Sequence, residues 1–570
     1  MSPAEIKALL EECRLYSSIT KKAEPAGVEK QAPTFCVRFG FQGRDLSMEI
    51  TFPLSFPYSA PTLQLRPWNQ LGFLPHVEET GEVCYTGKED MVLNPNDPSG
   101  IVIEAHTRVV RILEQGIAGT NASDFTDEFE SYWTRNQHVK RSVICNVTID
   151  DCIKSIGVAL DKSHKIRYIA DDISAASANV KRFINNDTSS SCERGLYISL
   201  GKVNLAPPPY DTMWTAGEIT QLIADSLDKN QKERIKELVK KGKNELVIFR
   251  IESPQGNNAL FGFRFKNVKS SGHPLTNSNP QCQVEPLEFI RVDKGLLMPR
   301  GGASEAVSSK RGLLIGCGAI GGFIAHELIR SGITALCLID NQKLRPENSY
   351  RHVSGYVSSD KVSKVDALKE SLELYYPYCN ISAHAASFEA VIGRGKVKMN
   401  DFDFVVVATG NPSTNFYIDT YYRNAKPGTP VIYTWLDPFG IGGHVLITNI
   451  TSKGCYHCLY DNDDLHNRAS WAAPLKDQPR PFLRSISGCG TRYTPYSALD
   501  ASQTAILATR KTMNVLMGNE KENAIYGWRG STDVFQKEGY KLSKRFTELS
   551  DEDLHNTRNG FSSKQCTHCK

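Results

Sequence analysis

The residues in this chain best suited to chemistry begin with Gly316, Gly318 and Gly321. They lie in Leu313-Leu314-Ile315-Gly316-Cys317-Gly318-Ala319-Ile320-Gly321-Gly322, ahead of the apolar run Leu336-Cys337-Leu338-Ile339 and the acid Asp340. A strand, a Gly-x-Gly-x-x-Gly turn, a helical pattern over Phe323–Arg330 and a second strand ending in an acid form a mononucleotide-binding unit. The glycines let backbone N–H groups approach phosphate oxygens, the helix N-terminus favours their charge, and Asp340 is suited to hold ribose hydroxyls. Dehydrogenases carry the same pattern. What separates the two readings is the set that follows: Asn348 and Arg351, three apart in Arg345-Pro346-Glu347-Asn348-Ser349-Tyr350-Arg351-His352, and then Lys364. An amide, a guanidinium and an ammonium near a nucleotide exceed what a nicotinamide cofactor needs. They suit a triphosphate attacked at its α-phosphorus, where charge develops.

Two cysteines have the setting of nucleophiles. Cys84 ends the polar, glycine-bearing stretch Leu74-Pro75-His76-Val77-Glu78-Glu79-Thr80-Gly81-Glu82-Val83-Cys84, where exposure favours reactivity. Taken alone, an ordinary half-buried thiol is the simpler reading of Cys84. Cys489, in Ser487-Gly488-Cys489-Gly490-Thr491-Arg492, is flanked by glycines that leave its sulfur unshielded, and Arg492 is near enough in sequence to favour a thiolate. Two further pairs, Cys455/Cys458 and Cys566/Cys569, are Cys-x-x-Cys motifs. Together they supply the four thiolates of a structural zinc site, with His457 and His568 as bystanders.

At 570 residues the chain exceeds one core, and several domains are expected. Its 40% hydrophobic and 23% charged content and net charge of +4 are an ordinary soluble balance, with no nucleic-acid or membrane partner demanded. There is no apolar run of bilayer length and no signal-peptide layout, so the 15 cysteines read as thiols, ligands or nucleophiles in a cytoplasmic protein. The elements that must hold the Cys84 loop are a helix over 3–14, strands at Phe35–Phe41, Leu46–Phe52 and Thr62–Leu65, and helices at Ile101–Gly116 and Phe125–Trp133. Between about 141 and 300 no chemical motif occurs. Strands at Glu245–Ile251 and Leu260–Phe265, a helix at Ile219–Leu227 and a lysine-rich solvated face at Lys229–Lys243 make this a mixed α/β linking domain of unknown fold. A buried strand at Asp403–Val407 and a helix at Ala501–Met517 are expected in the last third.

The nucleotide set resembles the adenylating domain of ubiquitin-activating enzymes and their bacterial sulfur-carrier relatives, a ThiF-type Rossmann-like domain. That resemblance implies ATP contacts from Asp340, Asn348, Arg351 and Lys364, and a crossover-loop role for Cys489 in attacking the acyl-adenylate. It also implies a magnesium-holding position near 410–411, where Gly410 or Asn411, depending on register, stands in place of an aspartate, Asn411 being able to coordinate through its amide. The Gly-Cys-Tyr-x-Cys-Leu wording around Cys455 is likewise similar to the sulfur-carrier activators. The order helix, three strands, Phe56-Pro57-Tyr58-Ser59-Ala60-Pro61 and cysteine loop resembles a ubiquitin-conjugating enzyme, an α+β fold. There His76 stands where that family has the asparagine of His-Pro-Asn. A histidine there can donate to an oxyanion or take the attacking amine's proton.

The resulting expectation is a conjugating-like domain over 1–140, a linker over 141–300 and an activating-like domain over 301–570. This combination resembles the bacterial fusions of conjugating-like and activating-like domains found in type II CBASS anti-phage operons. What the resemblance implies is a relay: adenylation of a protein C-terminus with ATP and Mg2+, a thioester on Cys489 and then on Cys84, and ligation to a target lysine amine. It also implies a cGAS-like nucleotidyltransferase as the modified protein and a homodimer through the activating domain. The rival readings are a sulfur-carrier adenylyltransferase, which leaves the first third idle, and a non-catalytic interaction protein in which both cysteines merely pack.

Overall fold

The computed structural model describes residues 1–23, 32–86, 92–177, 191–239, 245–268, 273–276, 282–355, 362–376, 378–425, 428–451, 453–460, 468–485 and 492–569. The chain divides into two compact units, Met1–Asp293 and Lys294–Lys570.

The first unit opens with helix α1 (Pro3–Glu12), capped by Ser2 in a capping box with Glu5, whose Ile6, Leu9 and Leu10 are buried. An antiparallel sheet follows in the order β1 (Ser18–Lys21), β2 (Thr34–Phe41), β3 (Arg44–Thr51), β4 (Thr62–Leu65). Strand β2 alternates buried Phe35, Val37, Phe39 and Phe41 with exposed residues. One sheet face therefore packs on α1 and α2 (Pro98–Ala118) and the other meets solvent. Within this sheet, β1 has no counterpart in the sequence expectations. The expected helix at Phe125–Trp133 is two short helices, α3 (Asp124–Asp127) and α4 (Phe129–Arg135), joined at Glu128.

The segment expected as a mixed α/β linker is built around a closed seven-stranded barrel. Its strands are β5 (Ser142–Asn146), β6 (Ile153–Leu160), β7 (Ile166–Ala170), β8 (Ser191–Lys202), β9 (Leu246–Glu252), β10 (Asn258–Lys266) and β11 (Gln283–Arg291), in the order β10-β11-β5-β7-β6-β8-β9. Val143, Ile156, Val158, Ile169, Tyr197, Ile248, Leu260 and Leu287, drawn from all seven strands, form one interior cluster. Alternate residues of β8, β9 and β10, among them Leu196, Ile198, Val247, Phe249, Phe261 and Phe263, pack outward. They are covered by helices Ala216–Ser226 and Lys229–Val239 and by α4 itself, through Phe129 and Trp133. The indole N–H of Trp133 donates to the Leu287 carbonyl at 2.8 Å. Glu130 accepts from the Leu260 amide at 2.7 Å and pairs with Arg291 at 3.1 Å. The expected boundary at residue 140 thus falls inside one compact unit, and α4 is common to both of its parts.

The second unit is a twisted seven-stranded sheet. In order it runs β14 (Asn380–His384), β13 (Ala335–Ile339), β12 (Arg311–Ile315), β15 (Phe404–Val407), β16 (Val431–Leu436), β17 (Gly442–Thr448) and β20 (Ala524–Arg529). The first five are parallel, β17 runs antiparallel to them, and β20 is antiparallel to β17. Helices Ala319–Arg330 and Ala498–Leu516 cover one face, meeting through Ile324, Ala325, Leu328, Ala505 and Ala508. The order reverses beside β12, so the turn after β12 opens where α/β sheets bind ligands. The short strands β18 (Arg484–Ser485) and β19 (Arg492–Tyr493) pair with each other.

Because α4 belongs to both halves of the first unit, Trp133→Ala is expected to cost about 3–5 kcal/mol and to loosen both. Hydrogen exchange of the full chain in rising denaturant should show β2–β3 and β8–β9 losing protection together. Protection retained in β2–β3 after β8–β9 has exchanged would refute the coupling.

Candidate functional site

In the second unit, the turn after β12 is built as its glycines require. Gly316 has φ +91°, and a Cβ there would strike the Ala408 backbone at 2.6 Å. A Cβ on Gly321 would meet the Gly316 carbonyl at 1.9 Å, so helix Ala319–Arg330 closes tightly on the turn. Above Gly318 there is open space, and no side chain caps the helix there, leaving its first N–H groups for a ligand. Asp340 anchors the turn: Cys317 N–H donates to Oδ2 and Gln342 N–H to Oδ1, each at 2.7 Å.

Lys364 begins helix Lys364–Tyr375 and is buried, 8% exposed. The bridge between Lys343 and Ser363 brings it back to Gln342, whose Oε1 accepts from Nζ at 2.6 Å. Burial pulls the ammonium's pKa below the usual lysine value. The Asp340 carboxylate opposes this, while Arg351 and Arg345 push in the same direction as burial. Asp340, Arg351 and Lys364 are therefore one electrostatic group. The Arg351 guanidinium lies 5.5 Å from the Tyr496 ring centroid. Asn348, half-buried, points its Oδ1 at the Arg345 amide at 3.0 Å, shaping the turn that carries Arg351. Asn411 caps helix Pro412–Ala425, its Oδ1 accepting from Ser413 and Thr414 at 2.9 and 3.2 Å. A magnesium ligand role for that oxygen would require the cap to open. His352 was not foreseen: buried, it bonds the Cys317 carbonyl through Nε2 at 2.8 Å and receives Ser354 N–H at Nδ1, clamping the glycine turn. Its signal was its position beside Arg351.

Cys489 lies outside the described residues, as does the side chain of Arg492, whose backbone is in β19. The second cysteine set is fully described. The sulfurs of Cys455, Cys458, Cys566 and Cys569 all lie within 4.8 Å of one another, with contacts of 3.4, 3.6 and 3.8 Å. A tetrahedral zinc with Zn–S bonds near 2.3 Å sets its sulfurs about 3.8 Å apart, so the four thiols have the geometry of a metal centre. His457 and His568 stack on each other, centroids 3.7 Å apart, and neither belongs to the sulfur cluster.

In the first unit, the Cys84 loop is pinned at several points. Gly81 has φ +81° and presses on the Leu65 carbonyl of β4, where a Cβ would stand at 2.2 Å. The Cys84 amide donates to the His76 carbonyl at 2.8 Å. Cys84 is exposed, and its S–H donates to Glu78 Oε1 at 3.3 Å. Desolvation, then the Glu78 hydrogen bond and the charges of Glu78 and Glu82, push the thiol pKa up to about 12. The thiol is thus held protonated. Helices α3 and α4 line the other side of the loop. His76, at φ +62°, has Nε2 2.9 Å from Asp124 and Nδ1 3.6 Å from Glu128, while its amide donates to the Tyr132 hydroxyl at 2.6 Å. Arg135 holds Glu78 at 2.8 Å. The imidazole is engaged with two carboxylates rather than turned free as an oxyanion donor. Asp124, Glu128, Tyr132 and Arg135 were missed from sequence; their helical spacing was visible, but nothing tied it to the loop.

Residues 17–142 match the prokaryotic E2 family B, and residues 295–528 match the ThiF family. The chain thus joins an E2-like domain to a ThiF-type domain. As a whole it resembles proteins named ATP-dependent ubiquitin transferase-like protein Cap2. It is 25% identical to the Pseudomonas aeruginosa protein over 459 residues, covering 78% of this chain and 80% of that one. To the Escherichia coli protein it is 22% identical over 490 residues, with the same coverage. The adenylyltransferase and sulfurtransferase UBA4 of Eremothecium gossypii is 28% identical over 199 residues, 33% of this chain and 42% of that one. No helix among the described residues is long and apolar enough to cross a membrane.

Since Glu78 stabilises the protonated thiol, Glu78→Gln should lower the Cys84 pKa. At pH 8, below that pKa, each unit of lowering raises the thiolate fraction about tenfold. Iodoacetamide labelling of Cys84, followed by mass spectrometry, is expected to accelerate by about that factor for a one-unit drop. An unchanged or slower rate would contradict the assigned cause.

Proposed function

We infer that this chain is an ATP-dependent ubiquitin-transferase-like enzyme that activates a protein's C-terminal carboxylate and conjugates it to amines. The observation that carries this reading is the presence, in one chain, of a triphosphate-type cation group around Asp340 and Lys364 and a pinned, exposed thiol in an E2-like loop. The glycine turn and free helix N-terminus suit the phosphates of ATP, and Asp340 suits the ribose. Lys364 and Arg351 suit the charge that develops when a carboxylate oxygen attacks the α-phosphorus and pyrophosphate leaves. Magnesium bound with the triphosphate would offset phosphate charge there. Cys489 then attacks the acyl carbon and AMP departs. The Cys84 sulfur takes the acyl group from Cys489, giving up its proton as the Cys489 thiol is regenerated. An amine nitrogen finally attacks the Cys84 thioester, forming an amide and releasing the Cys84 thiol. His76, held beside the loop by Asp124 and Glu128, takes the amine's proton once its ring turns from these carboxylates and frees a nitrogen. By resemblance, the protein activated is a cGAS-like nucleotidyltransferase and the acceptors are lysines. A homodimer through the ThiF-type domain belongs to the same proposal. A sulfur-carrier adenylyltransferase accounts for the ThiF-type domain but leaves the Cys84 loop without work.

The test is thioester trapping with ATP and the candidate carrier protein on non-reducing gels. Cys84→Ala should accumulate a dithiothreitol-labile adduct on Cys489 and form no amide product. Cys489→Ala should form adenylate and neither thioester. Lys364→Ala or Arg351→Ala should abolish carrier-dependent pyrophosphate exchange, and His76→Ala should slow aminolysis about 10²-fold while sparing the Cys84 thioester. A Cys84 adduct formed at the normal rate without Cys489 would remove Cys489 from the relay.

The four-cysteine cluster is proposed to hold a structural zinc, which ties the 566–569 segment to the 455–458 segment. Elemental analysis should find about one zinc per chain. Cys566→Ser with Cys569→Ser should remove it and lower the melting temperature of the second unit. Full zinc occupancy in that double variant would exclude this ligand set.

A further inference from the structure

Outside both thiol and nucleotide regions, the first unit holds a cavity of about 570 Å³ at the edge of the barrel. This is within the size range of small-molecule sites. Its walls are the connector after α4, with His138, Lys140 and Arg141, the segment carrying Trp214, and the ends of β10 and β11, with Lys266 and Glu285. These walls are fixed in place. Asn136 Nδ2 donates to the carbonyls of Pro209 and Thr212 at 2.9 and 2.8 Å, and the His138 ring bonds the Asp211 carbonyl at 3.1 Å.

Glu285 is the key to the cavity's charge. Its carboxylate, largely covered, lies between Arg141 at 2.8 Å and Lys266 at 2.7 Å. One acid therefore orients two cations whose remaining N–H groups stay accessible, at 44% and 39% side-chain exposure. Lys140 is exposed and has no carboxylate partner among the described residues. Three cations against one acid leave an excess of positive charge that nothing in the cavity balances. The half-buried Trp214 supplies a flat apolar surface, backed by Trp133 and Phe261 at centroid distances of 6.0 and 5.7 Å. A supported indole beside donors in a fixed fork matches a ligand with a planar ring at one end and phosphate at the other.

We propose that this cavity binds a nucleotide, its base against Trp214 and its phosphates between Lys140, Arg141 and Lys266. This site is separate from the triphosphate group of the second unit and does not depend on the reading given to that unit. A purely inorganic anion would have no use for the indole, and an uncharged aromatic ligand none for the cations.

The test is photolabelling of the full chain with 8-azido-ADP, with adducts mapped by peptide mass spectrometry. Adducts are expected in peptides spanning 133–141, 211–214 or 283–288, competed by ADP but much less by adenosine or by pyrophosphate. Lys140→Glu with Arg141→Gln should cut barrel labelling by about tenfold or more and leave adducts in 313–364 unchanged. Lys364→Ala should do the reverse. Labelling confined to 313–364 would overturn the proposal and leave the activating reading standing. So would barrel labelling that pyrophosphate competes as well as ADP, or that the double variant leaves intact. Barrel labelling without any in 313–364 would uphold this site and count against the activating reading.

Discussion

Helix α4 faces two ways, and the first unit depends on it. Phe129 and Trp133 complete the outer core of the barrel, while Tyr132 and Arg135 reach the Cys84 loop, one through the His76 amide and the other through Glu78. A seven-residue helix has little stability of its own, because nucleation is costly and its ends leave backbone groups unpaired. Its geometry is set by packing on the barrel, and the loop inherits that geometry. A domain with no chemical motif of its own thereby fixes the position of a thiol that stands well before it in sequence.

The second unit is organised by a different constraint, the cost of burying charge. Lys364 is covered and Asp340 has its oxygens directed at backbone amides. Each is tolerated because the other is near, and because Gln342 and the glycine turn supply hydrogen bonds. Arg351 and Arg345 add positive charge that the resting protein does not fully compensate. A polyanion placed there would relieve that excess.

The parts legible in the sequence were those where a residue type has one physical use. Glycines at Gly316 and Gly321 are required by close approach, β2 alternates because one face of its sheet is wet, and the paired Cys-x-x-Cys motifs bring four sulfurs together as a shared metal would require. The barrel was illegible for the opposite reason. Strand β9 is buried on both faces, Leu246 and Ile248 inside the barrel and Val247 and Phe249 under helices, so no alternation marks it. Its strands also pair out of order and partly in parallel, as β8 does with β9 and β5 with β7, a pattern no local signal announces. The surroundings of His76 were hidden likewise: Asp124 and Glu128 reach it only through tertiary packing, across a junction that breaks one expected helix into two.

The sulfur cluster has a topological consequence. Cys455 and Cys566 are 111 residues apart and their sulfurs lie 3.6 Å from each other, so a metal shared by the cluster would close the chain between them into a ring. Helix Ala498–Leu516 and strand β20 both lie inside that ring. The unfolded alternatives open to them would then be fewer than for a free tail, since ring closure removes conformational entropy that grows only slowly with ring length. A bond made at the 566–569 end would in this way steady the edge of the sheet and the helix across its face, elements that contribute no ligand to it.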